Sequence, residues 1–284
     1  MTTILKAWFS AIVRTFANPR ALLLFTVIYA VLLVASYVFI SMREATISQV
    51  LATYALMFLI PIGFFILQAS IIDRVLDQKF RWRAILIDTL KFLIVTILVL
   101  LVVWLLYYLL NKIAARYPAP IVEVPPVKKG VPPAPPKTPP LHWPSLIFST
   151  LRFVLLGVAF PLAAIHLWIA VAGGEIRGLF RDGVKSFFKR IGSALLRAFS
   201  SGSVLIYGLG LIIFFVLPYL ALVPTFNVNG NKTEFVIFGL RLLLAFLFSL
   251  VGWVSTLTAL ATAVSIAPVV VPVSDVALQT ESAA

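Results

Sequence analysis

Apolar residues fall into six long blocks along the chain, near 21–40, 50–72, 92–110, 145–172, 203–223 and 235–266, with polar or basic stretches between them. A helix rises about 1.5 Å per residue, so about 20 apolar residues cross a hydrocarbon core of about 30 Å. The pattern predicts an all-α polytopic membrane protein with six transmembrane helices. Pro61, Pro161 and Pro218 stand inside these blocks. Such prolines are tolerated in a membrane where neighbouring helices cover the carbonyl that each one frees.

The connections have a pattern of their own. Residues 3–18 alternate Lys6 and Arg14 with Trp8, Phe9, Ile12 and Val13. In 178–199, Phe187, Phe188, Ile191, Leu195 and Phe199 recur at three- and four-residue spacing among Lys185, Lys189, Arg190 and Arg197. Both stretches read as amphipathic helices lying in the membrane interface. A third basic stretch, 77–91, precedes the third block, so each pair of spans follows a basic segment. KAWFSAIVRTF and KSFFKRIGSALLRAF also share an order of Lys, aromatic pair, β-branched residue, Arg and Phe. Three repeated units of interfacial helix plus transmembrane hairpin would account for this. Near the outer end of the fifth block, Asn229-Gly230 within PTFNVNGNKTEF predicts a small hairpin.

Eleven of the eighteen prolines lie between Pro118 and Pro144. Proline fixes φ and lacks an N–H, so this stretch should run as polyproline II, with a reach of about 80 Å. Unpaired backbone cannot lie in hydrocarbon, which makes the segment an aqueous loop. The expected organisation is 1–117 with the interfacial helix and spans one to three, 118–144 as the loop, 145–266 with spans four to six, and 267–284 as a tail.

Composition agrees: 62% of residues are hydrophobic and 12% charged, against about 25% charged in ordinary globular domains. The net charge of +13 has a topological reading that makes nucleic acid an unneeded partner, because basic residues beside spans bind anionic lipid headgroups. Fourteen Lys and Arg fall on the side of the termini and seven on the side of the proline loop. That bias places both termini in the cytoplasm and the loop outside, in what is expected to be a bacterial inner membrane. The basic start could belong to a signal peptide, but the long first block reads better as an uncleaved span.

Candidate chemistry is sparse. There is no cysteine, and no HExxH, GxSxG, P-loop or dinucleotide fingerprint, so neither an enzyme nor a metal or cofactor is implied. Arg152 and Arg241 each lie about two turns inside a span, where a charge faces the bundle or snorkels. They are candidates for an anion or a partner carboxylate, with Glu234 as a counter-ion. His166 is the histidine within a span; it could ligate a cofactor or pack between helices, as could Gln68. Ser249, Gly252, Ser255, Thr256, Ala259, Thr262 and Ala263 form a small-residue face suited to close helix packing. Lys6, Trp8, Arg14, Lys185, Lys189, Arg190 and Arg197 are expected at the membrane interface. Asp73, Asp77 and Asp88 stand among basic residues and read as solvated ion pairs.

Two functions remain. The first is a non-enzymatic integral subunit or scaffold, docking other membrane subunits through helix-packing faces and the proline loop. The second is a transporter of small solutes, anions or lipids, which lacks in-span acidic residues for coupling. On this reading Arg152→Ala and Arg241→Ala should impair binding or assembly more than changes at Asp73 or Asp77.

Overall fold

The computed structural model describes residues 2–43, 45–77, 81–118, 142–176, 183–223 and 231–266. Their regular structure is helical. The chain begins with α1 (Thr2–Phe16), α2 (Pro19–Ser41), α3 (Ile47–Asp77) and α4 (Trp82–Ala114). The fourth span joins α5 (Trp143–Val154) to α6 (Phe160–Ala172) through a π-turn at Leu155–Ala159. Next come α7 (Val184–Ala198) and a fifth span of α8 (Ser201–Leu211), a second π-turn (Ile212–Val216) and α9 (Leu217–Leu222). α10 (Asn231–Ile266) is the sixth span. Six helical segments among the described residues are long and apolar enough to cross a bilayer, in keeping with an integral membrane protein.

Three boundaries differ from the sequence reading. The third basic stretch is not a separate helix from Trp82 onward, because α4 runs unbroken into the span. Ile85, Asp88, Thr89 and Phe92 are all buried at three- and four-residue spacing, so one packed face continues through the polar segment. Residues 231–235 are helical rather than the second arm of a hairpin; Asn229-Gly230 itself lies outside the described residues. Most of the proline loop also lies outside them, but Trp143 and Pro144 already belong to α5. The Nδ1 of His142 accepts from the Ser145 N–H at 3.3 Å, and Pro144 occupies the first turn, where a missing N–H costs nothing.

Local chemistry sets other ends. Asn18 Oδ1 accepts from the Ala21 N–H at 3.2 Å, and Pro19 starts α2. Gly174, with φ of 71°, ends α6 in the left-handed region that glycine enters without steric cost.

Six alternating spans put α1, the α3–α4 connection, α7 and the C-terminal end of α10 at one end of the bundle, the base. α1 and α3 both pack on α10, and α6 packs on α4 and α7. The core lies in this half, within 65–73, 85–96, 162–170, 203–210 and 250–262. Toward the opposite, open end, the spans touch only along narrow stripes. From 97 to 109, only Val99, Val103 and Tyr107 of α4 escape full exposure; from 143 to 156, only Pro144, Phe148, Arg152 and Leu155. Four-residue spacing is one line along a helix. The contacts there run within sequential pairs: Thr53 to Met42, Tyr117 stacked on Phe148 at 6.1 Å, and Arg241 on the end of α9. Among the described residues, the spans therefore form three helical hairpins gathered at the base, with narrow contacts toward the open end.

Both π-turns precede a proline, and in both a neighbouring span reaches the carbonyl four residues before it. The Tyr207 hydroxyl donates to Gly157 O at 3.0 Å, below Pro161. The Ser249 hydroxyl lies 3.4 Å from Phe214 O, below Pro218. Proline removes the donor that would have bonded these carbonyls, and hydrocarbon has none to offer.

Gly252 packs on the second π-turn so closely that an added Cβ would stand 2.7 Å from Phe214 N. Gly239, on the same helix, has nothing within 4 Å of that position. Gly252→Ala should therefore destabilise the protein in thermal unfolding by about 1–3 kcal/mol. Gly239→Ala should leave it unchanged or slightly stabilised, as helix propensity predicts. Equal behaviour of the two variants would refute this close approach.

Candidate functional site

The two in-span arginines have different surroundings. Arg241 Nε donates to Ala221 O and its Nη2 to Leu222 O, both at 2.7 Å, so its guanidinium closes the last carbonyls of α9. Carbonyls in the last turn of a helix carry the negative end of its dipole, which a cation with several N–H donors satisfies. Arg152 sits on the α5 stripe that packs against α4, and its Nε is buried with no hydrogen-bond partner. Glu234 is exposed on the first turn of α10.

The concentration of polar groups lies instead in the base half. Gln68, Ser70, Asp73, Asp88, Thr89, Thr96 and His166 are all buried. Two tryptophans organise this layer. Trp168 Nε1 donates to Thr96 Oγ1 at 2.9 Å while its ring stacks on Phe92 and meets the edge of Phe65. Trp253 Nε1 donates to Gln68 Oε1 at 2.8 Å and lies between Phe64 and Phe214. One tryptophan thus ties the fourth span to the third, and the other ties the sixth to the second. The aromatic faces supply contact area and the indole N–H supplies direction.

Asp73 and Asp88 depart from the expectation of solvated surface pairs. Both are buried within helices that cross the bundle, at 8% and 7% exposure. Asp88 pairs with Lys91 at 2.7 Å, and Asp88 and Arg81 are the charges that act on Asp73. In-span acidic residues are therefore present, because helical structure continues through flanks that read as connections. Asp73 Oδ2, Thr89 Oγ1, Gln68 Nε2 and both ring nitrogens of His166 have no hydrogen-bond partner. Buried polar atoms without partners are uncommon and call for a reason. No group of three His, Cys, Asp or Glu that could hold a metal ion occurs among the described residues.

The small-residue face of α10 packs as a seam at its base half. Gly252 meets the Phe214 backbone, and Thr256 meets Gly210 of α8, where an added Cβ would lie 2.9 Å from Thr256 Cβ. Ser255, Thr256 and Thr262 donate to carbonyls of their own helix, so their hydroxyls are satisfied before the helices meet. Ala259 is fully buried and Ala263 half-buried against the same core.

Residues assigned to the membrane interface divide. Lys6, Arg14, Lys185 and Lys189 are exposed. Trp8 is instead buried, with Ala11, where α1 docks on the bundle, while Phe9 and Val13 on its outer face stay exposed. Arg190 and Arg197 both reach Glu175, just beyond α6: Arg190 Nη1 donates to its carbonyl at 2.8 Å, and Arg197 pairs with its carboxylate. These two arginines fasten α7 to the fourth span. Two clefts lie against α1, one along its outer face from Lys6 to Arg14 and one at its junction with α2 and α3; neither is lined by Arg152 or Arg241.

The tryptophan ties were not legible in the sequence, since a Trp, Thr or Gln inside an apolar run shows that a partner is needed and not which one. Trp253→Phe should lower stability by about 1 kcal/mol, and the double variant with Gln68→Leu should cost less than the two single changes added. Strict additivity in thermal unfolding would show that the two side chains do not act together.

No protein-family model matches the chain, and no curated protein or solved structure matches it either.

Proposed function

We propose that this chain is a non-enzymatic integral subunit or scaffold of a larger membrane assembly, with the open half of the bundle as its docking surface. The observation that carries this reading is the narrow contact within each hairpin at that end. Leu101, Trp104, Tyr108, Phe153, Phe215 and Leu243 are among the large apolar side chains left uncovered there. In lipid such faces are stable as they stand, and they are also where helices of a partner gain contacts that lipid tails do not provide. The capping role of Arg241 supports this reading over an anion site built from the two arginines.

The charge bias favours cytoplasmic termini, hence a cytoplasmic base, with α1 and α7 along that face and the proline loop outside in a bacterial inner membrane. The loop then extends the docking surface into the aqueous phase. The three hairpins are compatible with three repeated units, two of them preceded by a separate basic helix.

A transporter is the second reading. Asp73 and His166, each buried with an unpaired polar atom, and the buried Asp88 beside Lys91 favour a proton-coupled one.

Gentle extraction, sizing and mass spectrometry separate the two. A photo-crosslinking residue at Leu101 or Phe153 should capture a discrete membrane protein, one at Leu196 in the base should not, and deleting 119–141 should weaken stoichiometric co-migration. A lone monomer or homo-oligomer that crosslinks only to lipid would sink the scaffold reading. Proton-driven uptake abolished by Asp73→Asn would then establish the transporter.

A further inference from the structure

We infer that the cleft where α1 turns into α2 binds the phosphate-bearing headgroup of an anionic phospholipid. The cleft encloses about 340 Å³ between α1, α2, α3 and α10. That lies at the small end of ligand pockets, enough for a headgroup and the start of an acyl chain. Its wall includes Phe25, Ile71 and Val75, and its polar residues include Arg14, Asn18 and Arg74.

The two arginines come from separate segments. Arg14 lies in the last turn of α1 and Arg74 in the last turn of α3. α1 is held in place by Trp8 and Ala11, both buried against the bundle, so Arg14 is presented from a docked helix and not from a loose terminus. Arg14 makes no hydrogen bond or ion pair with a described residue, and it is exposed. Asn18 uses its carbonyl oxygen to cap α2, which leaves its amide N–H₂ as a further donor at the cleft. No acidic residue lines the space. Guanidinium groups are planar forks that match phosphate oxygens, and each has five donors, so Arg74 can keep its contact within the protein and still present N–H groups to the cleft beside Arg14.

Depth and wall chemistry identify the source of the phosphate. Arg14 stands just before Pro19, where the first span begins, and Arg74 stands three residues before the end of α3. Both lie at the edge of the hydrocarbon, where lipid phosphates are found. Phe25 and Ile71 continue the wall toward the membrane interior, so a free anion would leave the apolar part of the cleft unfilled, whereas a lipid fills both. The general attraction of basic flanks for anionic membranes requires no cleft and no particular arginine. This site requires both.

The test uses the full chain purified in detergent, with thermal shift and native mass spectrometry as readouts. Phosphatidylglycerol should stabilise the protein more than phosphatidylcholine of the same chains, and inorganic phosphate should do nothing at equal concentration. Arg14→Gln and Arg74→Gln should each weaken phosphatidylglycerol binding roughly fivefold. Arg43→Gln, an exposed arginine at the open end, should leave it unchanged. Equal effects of the two lipids would overturn the proposal, as would loss of binding in Arg43→Gln, retained binding in the double variant, or a full shift from phosphate alone. Should Arg74→Gln fail to fold, Arg14→Gln decides the matter, because that side chain bonds no described residue.

Discussion

Inside a bilayer, an apolar helix gains nothing by exchanging lipid tails for another apolar helix, so helices associate through close shape, hydrogen bonds between side chains, or both. The architecture of this protein follows from where those two resources occur. The base half has them: Trp168 bonds Thr96, Trp253 bonds Gln68, and Gly252 and Gly210 allow α10 and the fifth span to meet at backbone distance. The open half is mostly Leu, Val, Ile and Phe, and there the spans separate into hairpins that touch along single stripes. In water this arrangement would collapse. In hydrocarbon each helix already satisfies its own backbone, and exposure of its apolar side chains carries no penalty.

The prolines show the same constraint at the level of single atoms. Pro161 and Pro218 each deprive a carbonyl of its donor, and each is accompanied by a π-turn and by a hydroxyl from the following span. The two bonds are unequal: the Tyr207 bond, at 3.0 Å, is the stronger, and the Ser249 contact, at 3.4 Å, is marginal. Ser249 also donates to Ala245 O of its own helix, which explains why it reaches Phe214 less well. A defect in one span is thereby tied to the identity of a residue in the next. The order of the last three spans around the bundle rests partly on these ties.

The candidate site was legible only in part. His166 and Gln68 stood out because a polar side chain inside an apolar block is expensive wherever it points. Asp73 and Asp88 did not stand out, since basic neighbours made them look like ordinary surface pairs; packing of α3 on α4 carried their helices through the charged flanks and buried both. Arg241 was visible as an anomaly, yet its partners are main-chain carbonyls some twenty residues earlier, and carbonyls leave no mark in a sequence. Arg190 and Arg197 looked like headgroup anchors by composition, and only the turn that brings Glu175 beneath α7 gives them a protein partner.

What the amino-acid sequence determined by itself is the set of six membrane-crossing helices, because transfer into hydrocarbon is a sum over neighbouring residues and needs no knowledge of the fold. It also determined where proline and glycine interrupt or end those helices, since both act through their own backbone. Only the tertiary structure decided which polar groups pair, which arginines serve the fold, and that the described parts of the hairpins gather at the base. Those outcomes depend on residues distant in the chain meeting at hydrogen-bond or contact distance. No local sum contains that information.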